Sequence, residues 1–120
     1  MHKKFIPCLL FIPFLAISFS SCTRHLLDNQ LLFGIQAAQK DLWDEAIFRW
    51  KKVILANPKS ASAHNNLAVA YEKKGIWEEA KKEYEIARKL SPENKYIKTN
   101  YQNFKKNREF SNKDKKDEKN

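Results

Sequence analysis

Glycine is almost missing from this chain: 120 residues hold two, Gly34 and Gly75, and they stand far apart. A glycine-rich loop that cradles phosphate is therefore excluded. Histidine and cysteine are as scarce, at three and two. None of them falls in a Ser/His/Asp or Cys/His arrangement or at metal-ligand spacing. The carboxylates of Glu78, Glu79, Glu83 and Glu85 fall at the start and on the outer flank of an expected helix, where acids partner the helix dipole. We therefore expect no enzyme, no catalytic residue, no metal, no cofactor and no small-molecule substrate. Long apolar runs are absent too. The longest, Phe5 to Phe19, is broken by Pro7 and Pro13, and at about 15 residues it falls short of the roughly 20 that a spanning helix needs. Acids are outnumbered, 14 against 23 Lys and Arg, for a formal charge of +9.

What the chain does have is a period. Residues 61–94 read ASAHNNLAVAYEKKGIWEEAKKEYEIARKLSPEN, and 34 residues earlier most landmarks recur. Trp77 stands over Trp43, Glu79 over Glu45, Ala80 over Ala46, Tyr84 over Trp50 and Pro92 over Pro58. A fixed period of this size marks a repeat array. Within the second copy, Leu67, Ala68, Ala70 and Tyr71 recur at helical spacing, Gly75 supplies a turn, and Trp77, Ala80, Tyr84, Ala87 and Leu90 form a second stripe. Ala68 and Ala80 are small enough to let two antiparallel helices approach closely. Ser91-Pro92 ends the pair, because the residue before proline avoids the helical region.

The spacing His64-x2-Leu67-Ala68-x2-Tyr71, then Ala80-x3-Tyr84, then Pro92, resembles the tetratricopeptide (TPR) repeat, with His64 where the family opens on Trp. The resemblance implies an all-α fold, a short TPR α-solenoid. Repeat 1 would be 27–60, with helices near 27–40 and 44–57, and repeat 2 would be 61–94. Gly34 should permit close helix packing in repeat 1, and Asp41, in place of the turn glycine, tolerates the left-handed conformation. Tyr96, Ile97, Tyr101 and Phe104 suggest a closing helix over 95–109 that covers the last pair. Residues 110–120 are expected to form a disordered basic tail, since Ser111 to Asn120 has no apolar residue to repay ordering entropy.

The N-terminus reads as an address. Met1-His2-Lys3-Lys4 is a positive n-region and Phe5–Phe19 an apolar h-region, so 1–21 is expected to be a signal peptide. Phe19-Ser20-Ser21-Cys22 resembles a bacterial lipoprotein processing box, with Phe19 where Leu is usual. That resemblance implies cleavage before Cys22, lipidation of its sulfur, acylation of its amino group (palmitate is a common chain), and a membrane anchor at Cys22. Residues 22–26 would then be a lipidated tether of roughly 15 Å. Thr23 rather than Asp follows the cysteine, which favours the outer membrane, facing the periplasm. Cleavage would take Lys3 and Lys4 from the +9 and no acid, leaving +7. Export removes nucleic acid as a partner for that charge.

TPR arrays present a concave groove to a protein partner, formed by the first helix of each pair. Here Leu31, Ile35, Asn65, Val69, Glu72, Tyr96, Thr99 and Asn103 are expected to line it. Phe48 and Leu55 stand where repeat 2 has Lys82 and Lys89, seven residues apart. They should form an apolar patch on the convex face, exposed and available to a protein partner; the alternative is that Leu26, Leu27 or nearby lipid covers them. A small basic TPR lipoprotein resembles the BamD family, accessory lipoproteins of the outer-membrane β-barrel assembly machine. The expected function is a protein–protein interaction module in the cell envelope. A scaffold lipoprotein for cell-wall synthesis or secretion, and a surface lipoprotein binding external ligands, are the alternatives.

Overall fold

The computed structural model describes the backbone of residues 16–117 and the side chains of residues 24–113. The signal-peptide reading therefore falls largely outside the described residues, and so does the side chain of Cys22. Five helices follow one another: α1 (Ala16–Ala38), α2 (Trp43–Ala56), α3 (Ala61–Lys73), α4 (Trp77–Leu90) and α5 (Lys95–Asp117). Among the described residues there is no strand. Each helix packs on the next, and α3 also meets α1 and α5. This is a short all-α solenoid of two helix pairs and a closing helix.

Two expected boundaries are corrected. Residues 22–26 are not an extended tether, because α1 runs through them unbroken. No Pro or Gly lies between Pro13 and Gly34, and His25 and Asn29 hydrogen-bond one turn apart, at 3.2 Å. Residues 110–117 are likewise not a disordered tail, because α5 continues to Asp117. No helix breaker follows Pro92, and Glu109 and Lys113 stand at the four-residue spacing that stabilises exposed helix.

The two interhelix turns superpose in pattern, 34 residues apart. Leu42 N–H donates to the Ala37 carbonyl at 3.0 Å, and Ile76 N–H to that of Tyr71 at 2.9 Å. In each turn the residue just before the donor has a positive φ, 57° at Asp41 and 71° at Gly75. That is the Schellman way of closing a helix. Ser60 caps α3 by accepting from Ala63 N–H. The Asn94 carboxamide oxygen caps α5, accepting from the N–H of Tyr96 and of Ile97.

Two clusters make the core. One gathers Ala37, Ala46, Trp50, Leu67 and Ala70, with Leu31, Trp43, Ile47 and Ile54 against it. The other gathers Ala68, Ala80, Tyr84 and Phe104. Tyr71 packs against both and joins them. The repeats solve one packing problem in two ways. In repeat 2, Ala68 and Tyr84 share a cluster. In repeat 1 the larger Trp50 lies on Gly34, where any Cβ would overlap the indole. The indole N–H donates to the Leu31 carbonyl at 3.2 Å.

Candidate partner-binding groove

A cavity of about 310 Å³ opens between α1 and α3, walled by Ile35, Ala38, Trp43 and Val69 and edged by Gln39, Asn65, Asn66 and Asn100. Asn100 Nδ2 donates to Asn65 Oδ1 at 3.2 Å, and Asn65 Nδ2 to Asn66 Oδ1 at 3.4 Å. Apolar walls beside a row of carboxamides suit a peptide, whose backbone offers both donors and acceptors.

The structure places the sequence-predicted groove residues unevenly. Ile35, Asn65 and Val69 line the cavity. Leu31 is half-buried against the first core cluster. Glu72 is held structurally, accepting from the Tyr84 hydroxyl at 2.8 Å and from Asn107 Nδ2 at 2.7 Å. Tyr96, Thr99 and Asn103 are exposed on α5 and do not line this cavity. The register of α5 explains that: Ile97 and Phe104 turn into the core, so Asn100 is the residue that reaches Asn65.

Two polar ties escaped the sequence reading. His64 is buried; Nε2 donates to the Pro58 carbonyl at 2.9 Å, and Nδ1 meets Glu83 Oε2 at 2.5 Å. Glu83 is thus not an outer-flank acid but part of the α3–α4 contact. The Glu72–Tyr84–Asn107 tie joins α3, α4 and α5. Burial, and then the neighbouring Glu72 charge, push the Tyr84 hydroxyl well above the ordinary phenol range.

On the convex side Phe48 and Leu55 are exposed, at 49% and 83%. Phe48 is not alone. The Arg49 guanidinium lies 5.7 Å from the Phe33 ring centroid and 5.8 Å from that of Phe48, and Lys52 Nζ lies 4.4 Å over Phe48. Arg49 also pairs with Glu45 at 2.6 Å.

Helix pairs closed by equivalent turns, stacked side by side around a shared cleft, define a TPR-type interaction module. Residues 61–94 match the tetratricopeptide repeat family. A 50-residue stretch is 50% identical to protein O-mannosyl-transferase TMTC4 of Mus musculus, covering 42% of this chain and 7% of that protein. The chain thus aligns with only a small part of that relative's length.

Proposed function

We propose that this chain is a membrane-anchored module that holds an extended or helical segment of a protein partner in the α1–α3 groove. The observation that carries the reading is the cleft itself, with Ile35, Trp43 and Val69 as walls and Asn65, Asn66 and Asn100 along its polar edge. Binding rather than catalysis is proposed because the nearby ionisable groups already serve the fold: His64 holds Glu83, and Glu72 holds Tyr84 and Asn107. No transferase chemistry is carried over from the mouse protein, whose match is short.

The finer reading is a lipoprotein anchored through Cys22 in a bacterial envelope, at the outer membrane and facing the periplasm. There it would serve as an accessory subunit in outer-membrane β-barrel assembly. The processing box before Cys22, the basic charge and the small repeat array support it. Co-purification after cross-linking in intact cells tests both levels. Recovery of barrel-assembly subunits, lost on Ile35→Lys with Asn66→Lys, is the expected result. Recovery of cell-wall or secretion components instead would move the module to another envelope complex. Membrane fractionation unchanged by Cys22→Ala would remove the anchor.

A further inference from the structure

We infer that the α1–α2 edge formed by Leu26, Phe33, Phe48 and Leu55 rests on an anionic lipid surface, with α1 along the membrane plane and the groove turned away. The inference deepens the anchor reading and rests on it. Two hydrogen bonds fix the antiparallel register of the hairpin: Arg49 Nη1 to Gln30 Oε1 at 3.1 Å, and Trp50 Nε1 to the Leu31 carbonyl at 3.2 Å. That register levels Phe48 with Phe33 and Leu55 with Leu26. All four are exposed, at 49%, 48%, 83% and 59%. The convex pair expected from the sequence is therefore half of a two-helix apolar strip.

The strip begins at the anchor. At about 100° per residue, positions 22, 26 and 33 of α1 fall within about 40° of one another, so the Cys22 position heads the same face. An acyl chain on Cys22 would enter the bilayer where the strip starts, so the surface nearest the strip is lipid. The strip's rim is basic. Lys52 covers Phe48, and Lys40 and Arg49 border a recess beside Phe33 and Leu42. Glu45 offsets Arg49, which leaves Lys40 and Lys52 to meet lipid phosphates. Apolar residues buried at the headgroup boundary with flanking Lys or Arg are the pattern of interfacial helices. Ile35 lies about 200° around α1 from Phe33, so a strip face-down on lipid leaves the groove open to the compartment.

Contact at Phe48 needs α1 to lie flat. Were α1 to stand upright on its anchor at position 22, the helical rise alone would carry position 33 roughly 16 Å away from the anchor. The experiment places p-benzoylphenylalanine singly at Phe48, Leu55 or Lys82 of the full chain as the cell processes it. Each is reconstituted into phosphatidylethanolamine vesicles containing some phosphatidylglycerol, irradiated, floated and weighed by mass spectrometry. Phospholipid adducts are expected at 48 and 55 and not at 82. Replacing phosphatidylglycerol by phosphatidylcholine should cut the yield at 48 about five-fold per contributing cation. Flotation with adducts at 55 alone means an upright α1 and overturns the inference. Flotation with 48 and 55 joined to protein, a second copy included, overturns it too while the anchor stands. Failure to float removes the anchor reading, and this one with it.

Discussion

At the residue scale the repeat is a set of matched pairs rather than a set of invariant positions. Gly34 faces Trp50 where Ala68 faces Tyr84, so the smaller partner on α1 compensates for the larger one on α2. Gly34→Ala sets two effects against each other. Alanine gains about 1 kcal/mol of helix propensity, but its Cβ would overlap a Trp50 ring that is 2% exposed and has nowhere to go. Overpacking of this kind costs about 1–3 kcal/mol, so urea unfolding should show net destabilisation. Adding Trp50→Tyr rebuilds the repeat 2 pair and should recover part of the loss; two additive losses would show that the positions do not pair. Gly34 and Asp41 were legible in the sequence because glycine and φ tolerance are properties of one residue. His64–Glu83 was not, because a buried hydrogen-bonded pair across two helices needs both in register. The clue was available in the hairpin separation, since Gln30–Arg49, Leu31–Trp50 and His64–Glu83 all sit 19 apart. Tyr84 gives a pH prediction. Its folded pKa is raised, so the unfolded chain loses the phenol proton near 10 while the folded chain keeps it. Stability from this group is present below pH 10 and is lost as pH rises above it, by up to about 1.4 kcal/mol per pH unit. Tyr84→Phe should flatten the fall in unfolding midpoint between about pH 10 and 11; an unchanged slope would mean the hydroxyl ionises in place.

At the element scale, helix identity was legible and helix ends were not. The stripes at Trp43, Ala46, Trp50 and at Trp77, Ala80, Tyr84 announce α2 and α4, because buried residues must recur with the helical period. Residues 22–26 of α1 and the last two turns of α5 carry no such obligation. They are helical because nothing breaks them, and composition alone read them as tether and tail. This divides α5 into two parts with different roles. Ile97 and Phe104 are 3% and 1% exposed, and Phe104 lies 5.2 Å from the Tyr84 ring centroid and 6.2 Å from that of Trp77. Phe104→Ala should therefore cost about 3–5 kcal/mol, enough to melt much of an array this short. Phe110, by contrast, is 63% exposed. Ending the chain after Glu109 should lower the helical circular dichroism signal yet leave the melting midpoint nearly unmoved. A clear drop in midpoint would show that the extension is part of the core's cover.

At the scale of the whole molecule, the two faces proposed here, groove and strip, are built from the same first repeat. The residues of α1 that enter the groove and those that form the exposed strip are separated by roughly half a turn, so one helix serves both without either site intruding on the other. That separation was only half legible. The resemblance placed Ile35, Asn65 and Val69 on one expected groove, and all three line the same cavity. It could not give the four-residue strip, since Leu26 and Phe33 have no meaning as a surface until the hairpin register sets them beside Leu55 and Phe48. The consequence is a crossed pair of phenotypes. Ile35→Lys with Asn66→Lys changes part-exposed groove residues; with each buried aliphatic contact contributing about 1.5–3 kcal/mol, partner affinity should fall roughly ten- to hundred-fold. Lipid adducts at position 48 should persist in that variant. Phe33→Asp with Leu55→Asp should do the reverse, abolishing lipid adducts at 48 while solution affinity for the partner stays within about two-fold, as expected for sites without shared contacts. Both variants should keep the wild-type helix signal and midpoint, since the altered side chains lie outside the buried clusters. If either double variant loses partner binding and lipid contact together with its fold intact, the two faces are one site, and the molecule must engage its partner at the membrane surface itself.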